Sequence, residues 1–232
     1  MCPTNLTPQQ PEAGGRGVVA SQRLRAGEAY LYLPKHLWFY IESIQANSSI
    51  RDLLETDPTI AEVCGDEWGA SQCRLMVALE YETYNPDSFW RAYIDTFPAR
   101  PTSLTWWSDQ QLADLQSPVL VTETQSTQRW INESYHTLFP KLCQSHPALF
   151  KCDGTRHSYA SWAASVIHVG ARAFTCTSEA FHNGTAGHVL RSKPLKLSGL
   201  MPFADLVNHQ SYTESLYSDK YAAGRLFSKS GA

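Results

Sequence analysis

Residues 158–174 read SYASWAASVIHVGARAF and carry the strongest periodic signal in the chain. Apolar residues recur at steps of three and four from the first tyrosine to the last phenylalanine. This spacing places side chains on one face of an α-helix. Ser158 offers the hydroxyl of a typical N-cap. The segment therefore predicts a helix over 158–174 with one continuous apolar stripe.

Further helices are predicted on the N-terminal side of this segment. They share either strong helix formers with apolar residues on one face, or a capping residue before an apolar start. The predicted helices cover residues 71–84, 89–97 after a cap at Asp87 or Ser88, 110–115 after Ser108-Asp109, and 125–142, where Pro140 disturbs the end.

Strand-like patterns flank this helical block. Residues 17–33 predict a β-hairpin with its turn at 25–27, and Pro34 ends it because proline has no N–H for the ladder. A strand pattern returns over 195–197. The order predicts an α+β fold in which one small β-domain is interrupted by a helical insert. The expected division is residues 14–42 and 195–232 for the β segments, and 43–194 for the insert.

The composition is that of a globular protein. The chain has 232 residues, 43% of them hydrophobic, and a net charge of −3. No basic excess indicates a nucleic-acid partner, and no apolar run is long enough to span a membrane. The N-terminal residues resemble neither a secretory signal nor a transit peptide. We therefore expect a monomer in the cytoplasm or nucleus.

The six cysteines occupy positions 2, 64, 73, 143, 152 and 176. No two of them form a Cys-x-x-Cys pair, so neither a disulfide framework nor a zinc ribbon is expected. Cys143 and His146, with Cys152 and His157 nearby, match no common zinc module. The sequence therefore predicts no metal site.

Three groups of motifs occur in a distinctive order. Residues 15–20 read GRGVVA and are followed by RAGE at 25–28 and Leu33-Pro34. Residues 88–98 and 107–115 supply an aromatic, helical middle. Residues 171–174 read ARAF, and residues 202–209 read PFADLVNH. In this order and spacing the chain resembles the SET-domain protein methyltransferases, in the branch of the Rubisco large-subunit lysine methyltransferase.

The resemblance implies transfer of a methyl group from S-adenosylmethionine (SAM) to a protein side chain, usually lysine. It implies that Gly15, Arg16 and Gly17 line the amino-acid end of SAM through their backbone. It also implies contacts of Asn208 and His209 with the adenine. The alternative for the glycines is an ordinary hairpin turn, and for Asn208-His209 a helix cap.

The resemblance also assigns roles to three residues around the reacting groups. Arg172 should face the carboxylate of the cofactor, because a guanidinium fork suits a carboxylate. Its alternative role is a surface charge. Asp205 should lie on the approach to the methyl-transfer channel. Phe174 should line that channel beside the lysine stem, or else be only a core residue of its helix.

One part of the family's site is missing from the sequence. The family completes its site with a tyrosine in a Gly-Glu-x-x-x-x-x-Tyr-Gly strand, and residues 210–232 contain no such pattern. The catalytic residue is therefore unknown. We expect a C-terminally truncated SET fold that is incomplete or inactive as a methyltransferase. The alternative is a non-catalytic SET remnant that acts as a protein-binding module.

The helical insert contains a cluster of aromatic residues with two possible roles. They are Trp90, Tyr93, Trp106 and Trp107. They either line a peptide groove or pack inside the insert, and the second role is favoured because large aromatic residues are usually buried.

Overall fold

The computed structural model describes residues 6–9, 17–25, 30–65, 69–177 and 196–207. Within these ranges the strands are β1 (Leu6–Gln9), β2 (Gly17–Ala20), β3 (Phe39–Tyr40), β4 (Phe174–Thr177) and β5 (Lys196–Leu200). The helices are α1 (Ile41–Asn47), α2 (Arg51–Thr56), α3 (Pro58–Cys64), α4 (Ala70–Tyr84), α5 (Arg91–Ile94), α6 (Asp109–Asp114), α7 (Pro118–Ser145) and α8 (Tyr159–Arg172). The predicted α+β class is confirmed.

The chain divides into two compact units. Residues 1–43 and 172–232 form the first, here called the strand unit, and residues 44–171 form the second, the helical unit. All five strands belong to the strand unit. Its two segments are separated along the chain by the whole helical unit, so the chain leaves the strand unit within α1 and returns to it at the last residue of α8.

The strand unit contains two antiparallel sheets. In the first, β1 pairs with β2, with Leu6 opposite Ala20. In the second, β5 lies between β3 and β4. The pairing of Tyr40 with Gly199 is close, because a Cβ added at Gly199 would lie 2.9 Å from the Cβ of Tyr40. Glycine is therefore required at this position by space.

The core of the strand unit joins side chains from both chain segments. Leu31, Trp38 and Tyr40 come from the first segment, and Met201 and Ala204 from the second. The indole Nε1 of Trp38 donates a hydrogen bond to the Leu33 carbonyl at 3.2 Å, which satisfies the polar atom of a buried ring. Burial of these side chains holds the turn after β5 against the residues before β3.

The predicted hairpin over residues 17–33 is wrong in its pairing. β2 pairs with β1, and residues 30–33 contain only a single bridge at Tyr32. Leu31 is instead buried in the core of the strand unit, and Pro34 leads into a 3₁₀ turn over Lys35–Leu37. Packing of the side chains outweighs the local alternation. The predicted turn at 25–27 lies mostly outside the described residues.

Three helix boundaries differ from their prediction. The last helix ends at Arg172, and Phe174 begins β4, because the chain there pairs with β5. The helix predicted over 89–97 is reduced to α5. The long helix α7 begins at Pro118, since proline is well suited to a first helical position, and it continues through Pro140. Leu138 and Phe139 are buried beside that proline, so packing offsets the lost hydrogen bond.

Helix α4 forms the centre of the helical unit and is buried on nearly every side. Two of its buried residues are acidic. The carboxylate of Glu82 accepts hydrogen bonds from the Ser48 hydroxyl and, at 3.1 Å, from the Asn85 amide. Partners supplied on both oxygens make burial of such a group tolerable.

The Glu80 carboxylate, which is 0% exposed, joins α4 to α8. The Ser161 hydroxyl lies 2.7 and 2.9 Å from its two oxygens, and the Ser165 hydroxyl donates at 2.8 Å. The Nδ1 atom of His157 lies 3.2 Å from one of them. His157 has a φ of 52°, a left-handed conformation that a non-glycine residue adopts only where its surroundings fix it. His157, two residues before α8, is thus fixed by a buried carboxylate.

The predicted cap of α8 is present beside this network. The Ser158 hydroxyl accepts a hydrogen bond from the Ser161 N–H at 3.2 Å. Farther along α8, the Trp162 indole donates to the Ser134 hydroxyl of α7 at 2.9 Å. One face of α8 therefore contacts both α4 and α7, as its continuous apolar stripe predicts.

Asp57 connects α3 to the end of α7. One carboxylate oxygen caps α3 by accepting the N–H groups of Thr59 at 2.8 Å and Ile60 at 3.1 Å. The other lies 3.0 Å from Nε2 of His146. Burial raises the pKa of Asp57, but the hydrogen bonds from His146, Ile60 and Thr59 outweigh it, and the net pKa lies below 3.8.

The expectation of unpaired cysteines is wrong for four of them. Cys64 and Cys73 form a disulfide between the end of α3 and the first turn of α4, and Cys143 and Cys152 form a second between the last turn of α7 and the segment after it. Their Cα atoms are 5.3 and 5.9 Å apart, within the usual range for disulfides. The cysteines of each pair are nine residues apart, which matches no known disulfide motif. They meet only because the segment between them folds.

We expect Glu80→Ala to be strongly destabilising, because it removes the shared acceptor of two buried side chains, His157 and Ser165, and of the partly buried Ser161. The loss should be about 3 kcal/mol or more in the free energy of unfolding, measured by urea denaturation. The matched control is Glu133→Ala on α7, an exposed position, which should change stability by no more than about 0.5 kcal/mol. Equal midpoints for the two variants would contradict a structural role of the Glu80 network.

We expect Asp57→Asn to be destabilising in a pH-dependent manner. The pKa of Asp57 is lower in the folded chain, so its carboxylate contributes stability above the unfolded value and loses it as pH falls through the folded pKa. At pH 6 the variant should be less stable by about 1 kcal/mol, since asparagine still caps α3 but loses the charge beside His146. In urea titrations the gap should close as the pH falls below the unfolded pKa and through the lower folded pKa of Asp57. A gap that is constant with pH would rule out this origin.

Candidate functional site

The structure brings together two of the sequence-predicted site residues in the strand unit. Arg172 is the last residue of α8, and Asp205 lies in a 3₁₀ turn over Ala204–Leu206. Nη1 of Arg172 donates a hydrogen bond to Oδ2 of Asp205 at 2.9 Å. The two motifs that surround these residues, far apart in the sequence, thus meet through one ion pair.

The turn that carries Asp205 is fixed by packing and by backbone strain. Met201 and Ala204 are buried in the core of the strand unit on either side of Phe203. Phe203 has a φ of 71°, which is unusual for a bulky residue and concentrates at functional sites. The Asp205 N–H also donates to the Met201 carbonyl at 3.2 Å. The local fold thereby directs the Asp205 carboxylate toward Arg172.

The ion pair is shielded from solvent on its acidic side. The Asp205 side chain is 1% exposed, whereas that of Arg172 is 18% exposed. Removal of one partner of a buried pair leaves the other charge uncompensated, which is costly. Asp205 therefore orients the guanidinium, and Arg172 is the member of the pair that reaches solvent. A planar guanidinium held in this way suits a second carboxylate.

The remaining predicted site residues are only partly described. Gly17 is buried and begins β2, opposite Gln9. Phe174 begins β4 and packs, partly buried, against the core of the strand unit. The alternative prediction, that Phe174 is the last core residue of its helix, is wrong about the helix, because α8 ends two residues earlier. The positions of Gly15, Arg16, Asn208 and His209 lie outside the described residues.

The helical unit contains a cavity of about 750 Å³ beside the last turn of α8. Gly170 and Ala171, which directly precede Arg172, form part of its wall. The Cys64–Cys73 disulfide and the Trp130 ring form other parts. Its described lining carries no charged side chain, which suits neutral groups.

A second cavity of about 670 Å³ in the same unit has a different character. Its wall includes Arg91 and Arg100, the Tyr84 and Ser161 hydroxyls, and aromatic rings. Burial raises the pKa of Tyr84, while the hydrogen bond with Ser161 lowers it, and the net pKa lies above 10. The phenol therefore stays protonated at neutral pH.

The aromatic cluster of the insert has both of its predicted environments. Trp90 is 3% exposed and belongs to the core, whereas Trp106 lines the second cavity. In the described ranges no group of three or more histidine, cysteine or acidic side chains is arranged to hold a metal ion. Nor do those ranges contain a helix that is long and apolar enough to cross a membrane.

No family model matches the chain. Several curated proteins are similar to it. They include the lysine N-methyltransferase of fructose-bisphosphate aldolase from Arabidopsis thaliana, 26% identical over 197 residues, which are 84% of this chain and 34% of that protein. The Rubisco large-subunit N-methyltransferase of Nicotiana tabacum is 25% identical over 90% of this chain and 36% of its own length. The actin-histidine N-methyltransferase of Canis lupus familiaris is 27% identical over 66% of this chain and 25% of its own length.

Solved structures show the same fold. The SET domain of LSMT bound to lysine and AdoHcy has a TM-score of 0.68 and 21% identity, over 93% of this chain and 41% of that chain. The structure of Rubisco LSMT bound to AdoMet has a TM-score of 0.63 and 22% identity, over 94% and 43% of the two chains.

The fold is therefore that of a SET domain with a helical insert. Within that class, the relatives are Rubisco large-subunit methyltransferases and related lysine and histidine methyltransferases, so the resemblance read from the sequence is confirmed. The chain spans about a third of the length of the first two relatives, 34% and 36%.

Sequence reasoning missed the second cavity and the polar network beneath it. Glu80 and Tyr84 lie one turn apart on α4, but Ser161 lies on α8, about 80 residues farther along the chain, and no spacing links the two helices. One signal was present. Glu80 lies in a segment of strong apolar character, VALEYE, where an acidic residue needs buried partners.

Proposed function

We propose that this chain carries the cofactor-binding part of a SAM-dependent protein-lysine N-methyltransferase of the SET class. One observation carries the proposal: the Arg172–Asp205 ion pair joins the last two motifs of the resemblance, ARAF and PFADLVNH. The similarity to curated lysine methyltransferases over most of this chain supports it. The proposed cofactor site contains Gly15, Arg16, Gly17, Arg172, Asp205, Asn208 and His209.

The donor set fits the amino-acid end of SAM. Arg172 is partly exposed and is oriented by a buried carboxylate, so its guanidinium is prepared to bind an α-carboxylate. Gly17 provides backbone groups without a Cβ, which permits close approach. When bound, SAM supplies an electrophilic methyl group on a positively charged sulfur. Asp205 acts as a positioning residue for Arg172.

The protein substrate must present a neutral amine to that methyl group. A free lysine has a pKa near ~10.4, so the site must lower it through desolvation and the adjacent positive charge. The nitrogen lone pair then forms the new C–N bond as the methyl leaves the sulfur with its electron pair behind, and the extra proton of the product is released to solvent. The chain contributes alignment and exclusion of water.

We infer that residues 1–232 catalyse this transfer poorly. The family's tyrosine pattern is absent from residues 210–232, so no residue of this sequence is assigned to complete the methyl-transfer channel. For this chain we therefore propose binding of the cofactor and of the lysine side chain, with little turnover. We further propose a monomer that binds neither nucleic acid nor membrane, on the basis of composition and charge.

Lysine is the proposed target, and Phe174 is the reason. Its ring offers an apolar wall to a lysine stem and no partner to the second ring nitrogen of histidine. An unpaired buried nitrogen costs about 1–3 kcal/mol, which is a preference of roughly ten- to a hundredfold. The similarity to actin-histidine methyltransferases makes histidine the competing target.

A non-catalytic role is the alternative. The missing tyrosine pattern favours a module that binds protein through its helical unit and transfers no methyl group. Cofactor binding separates the two functions, because a module of this kind has no need of SAM.

We expect the wild-type chain to bind SAM weakly, with Arg172 as a main contributor. Arg172→Ala should weaken binding by about ten- to a hundredfold in isothermal titration, since a hydrogen bond to a charged group contributes about 1.5–3 kcal/mol. Arg156→Ala, at an exposed arginine that pairs with Asp153, is the matched control and should leave the affinity unchanged. The absence of wild-type binding at millimolar SAM, or equal affinities for the two variants, would refute the proposed site.

We expect free lysine to bind better than free histidine in the presence of AdoHcy. Isothermal titration with each amino acid measures the preference without requiring turnover. Phe174→Asn should reduce it, because the amide can pair with an imidazole nitrogen. Phe174→Leu is the control and should retain the preference. Tighter binding of histidine to the wild-type chain would show that Phe174 does not select the substrate in this way.

A further inference from the structure

The second cavity of the helical unit has the size and composition of a binding site. Its volume of about 670 Å³ falls within the range of ligand pockets, roughly 300–1,000 Å³. Phe97, Pro98 and Trp106 form apolar parts of the wall. Arg100 is exposed, and the Tyr84 and Ser161 hydroxyls complete the polar part.

The Arg100 guanidinium is held in place by an aromatic ring. Its guanidinium carbon lies 5.1 Å from the centre of the Trp106 ring, which is a cation–π arrangement. The Trp106 indole is itself fixed, because its Nε1 donates to the Pro101 carbonyl at 2.6 Å. Among the described residues, no carboxylate lies within ion-pairing distance of Arg100. A stacked, planar guanidinium loses little freedom when it binds a carboxylate.

Arg91, the other arginine of the wall, is used by the fold. Its Nη1 donates to the Thr83 carbonyl at 3.1 Å, and its Nε lies 2.9 Å from the Asp95 carboxylate. These contacts place it at the end of α4 as a structural group. Asp95 belongs to the same wall, and its charge is balanced by Arg91, so Arg100 supplies the unbalanced charge that an incoming anion would meet.

The polar side of the cavity presents a hydrogen-bond acceptor. The Tyr84 hydroxyl donates to the Ser161 hydroxyl at 2.8 Å, and Ser161 donates to the buried Glu80 carboxylate. Each hydroxyl has one proton, and both protons are directed inward toward Glu80. The Tyr84 oxygen also accepts a hydrogen bond from the backbone of His157, and its remaining lone pair can accept one further donor such as a backbone N–H.

We propose that this cavity is a docking site for an acidic segment of the protein substrate. A carboxylate side chain of the segment pairs with Arg100, a neighbouring apolar side chain packs on Trp106 and Phe97, and a backbone N–H donates to Tyr84. Charge complementarity and the combination of a cation, an apolar wall and an acceptor favour a peptide over a simple anion. The proposal rests on the proposed function only for the statement that the bound protein is the substrate.

The test uses the probe acetyl-Leu-Glu-Leu-amide and its matched glutamine analogue. The chain is labelled with 5-fluorotryptophan, and the ¹⁹F signal of Trp106 is assigned as the one lost in Trp106→Phe. We expect the glutamate peptide to shift this signal saturably and to bind about fivefold more tightly than the glutamine peptide, as for an exposed ion pair. Arg100→Gln should abolish that preference, and Arg100→Lys should reduce it. Arg156→Gln is the matched control and should leave it intact.

Two results would overturn the proposal. Equal affinities of the two peptides for the wild-type chain would remove Arg100 from recognition. A shift of the Trp106 signal by free glutarate that matches the peptide's would indicate a site for small carboxylates. No cofactor is present in this assay, so failure of docking is distinct from failure of SAM binding, and Arg100→Gln should still bind SAM like the wild type.

Discussion

The buried carboxylate of Glu80 is the interaction on which the helical unit depends. It lies in the most enclosed helix of that unit and accepts hydrogen bonds from side chains at the beginning and middle of α8. An acidic group at 0% exposure is tolerable only where its partners are supplied, so the position of α8 along α4 is fixed by chemistry as well as by apolar packing.

The two proposed sites use arginine in the same physical manner. In each, one planar cation is held by a group that removes most of its freedom: the Asp205 carboxylate for Arg172, and the Trp106 ring for Arg100. A pre-oriented guanidinium binds a carboxylate with a smaller entropic loss than a free one. The difference lies in exposure, because the Arg172 pair is largely enclosed whereas Arg100 faces solvent. The first arrangement suits a cofactor that must be shielded from water while it reacts, and the second suits a partner that binds at the surface.

The sequence predicts this protein well where the signal is local or repeated. The stripe of residues 158–174, the cap at Ser158 and the helix at 71–84 depend on neighbours three or four residues away, and the structure contains all three with boundaries that shift by one or two residues. The errors arise where distant segments meet. β2 pairs with β1 and not with residues 30–33. Phe174 belongs to a strand because β5 pairs with that segment, and the disulfides form only after folding brings the cysteines together. Motif resemblance singles out Arg172 and Asp205 separately, but their ion pair is not predicted, because no spacing rule connects residue 172 with residue 205.

The discontinuous strand unit has a consequence for how the chain is made. Tyr40 leaves the ribosome long before Gly199, its partner across β3 and β5. The helical unit lies wholly between them and can acquire its core while synthesis continues. Once the helical unit has folded, the loop between β3 and β5 behaves as a shorter flexible chain. The loop-closure entropy lost when β3 pairs with β5 is therefore smaller. The helical unit therefore folds first, and the sheet next to the Arg172–Asp205 pair is completed last.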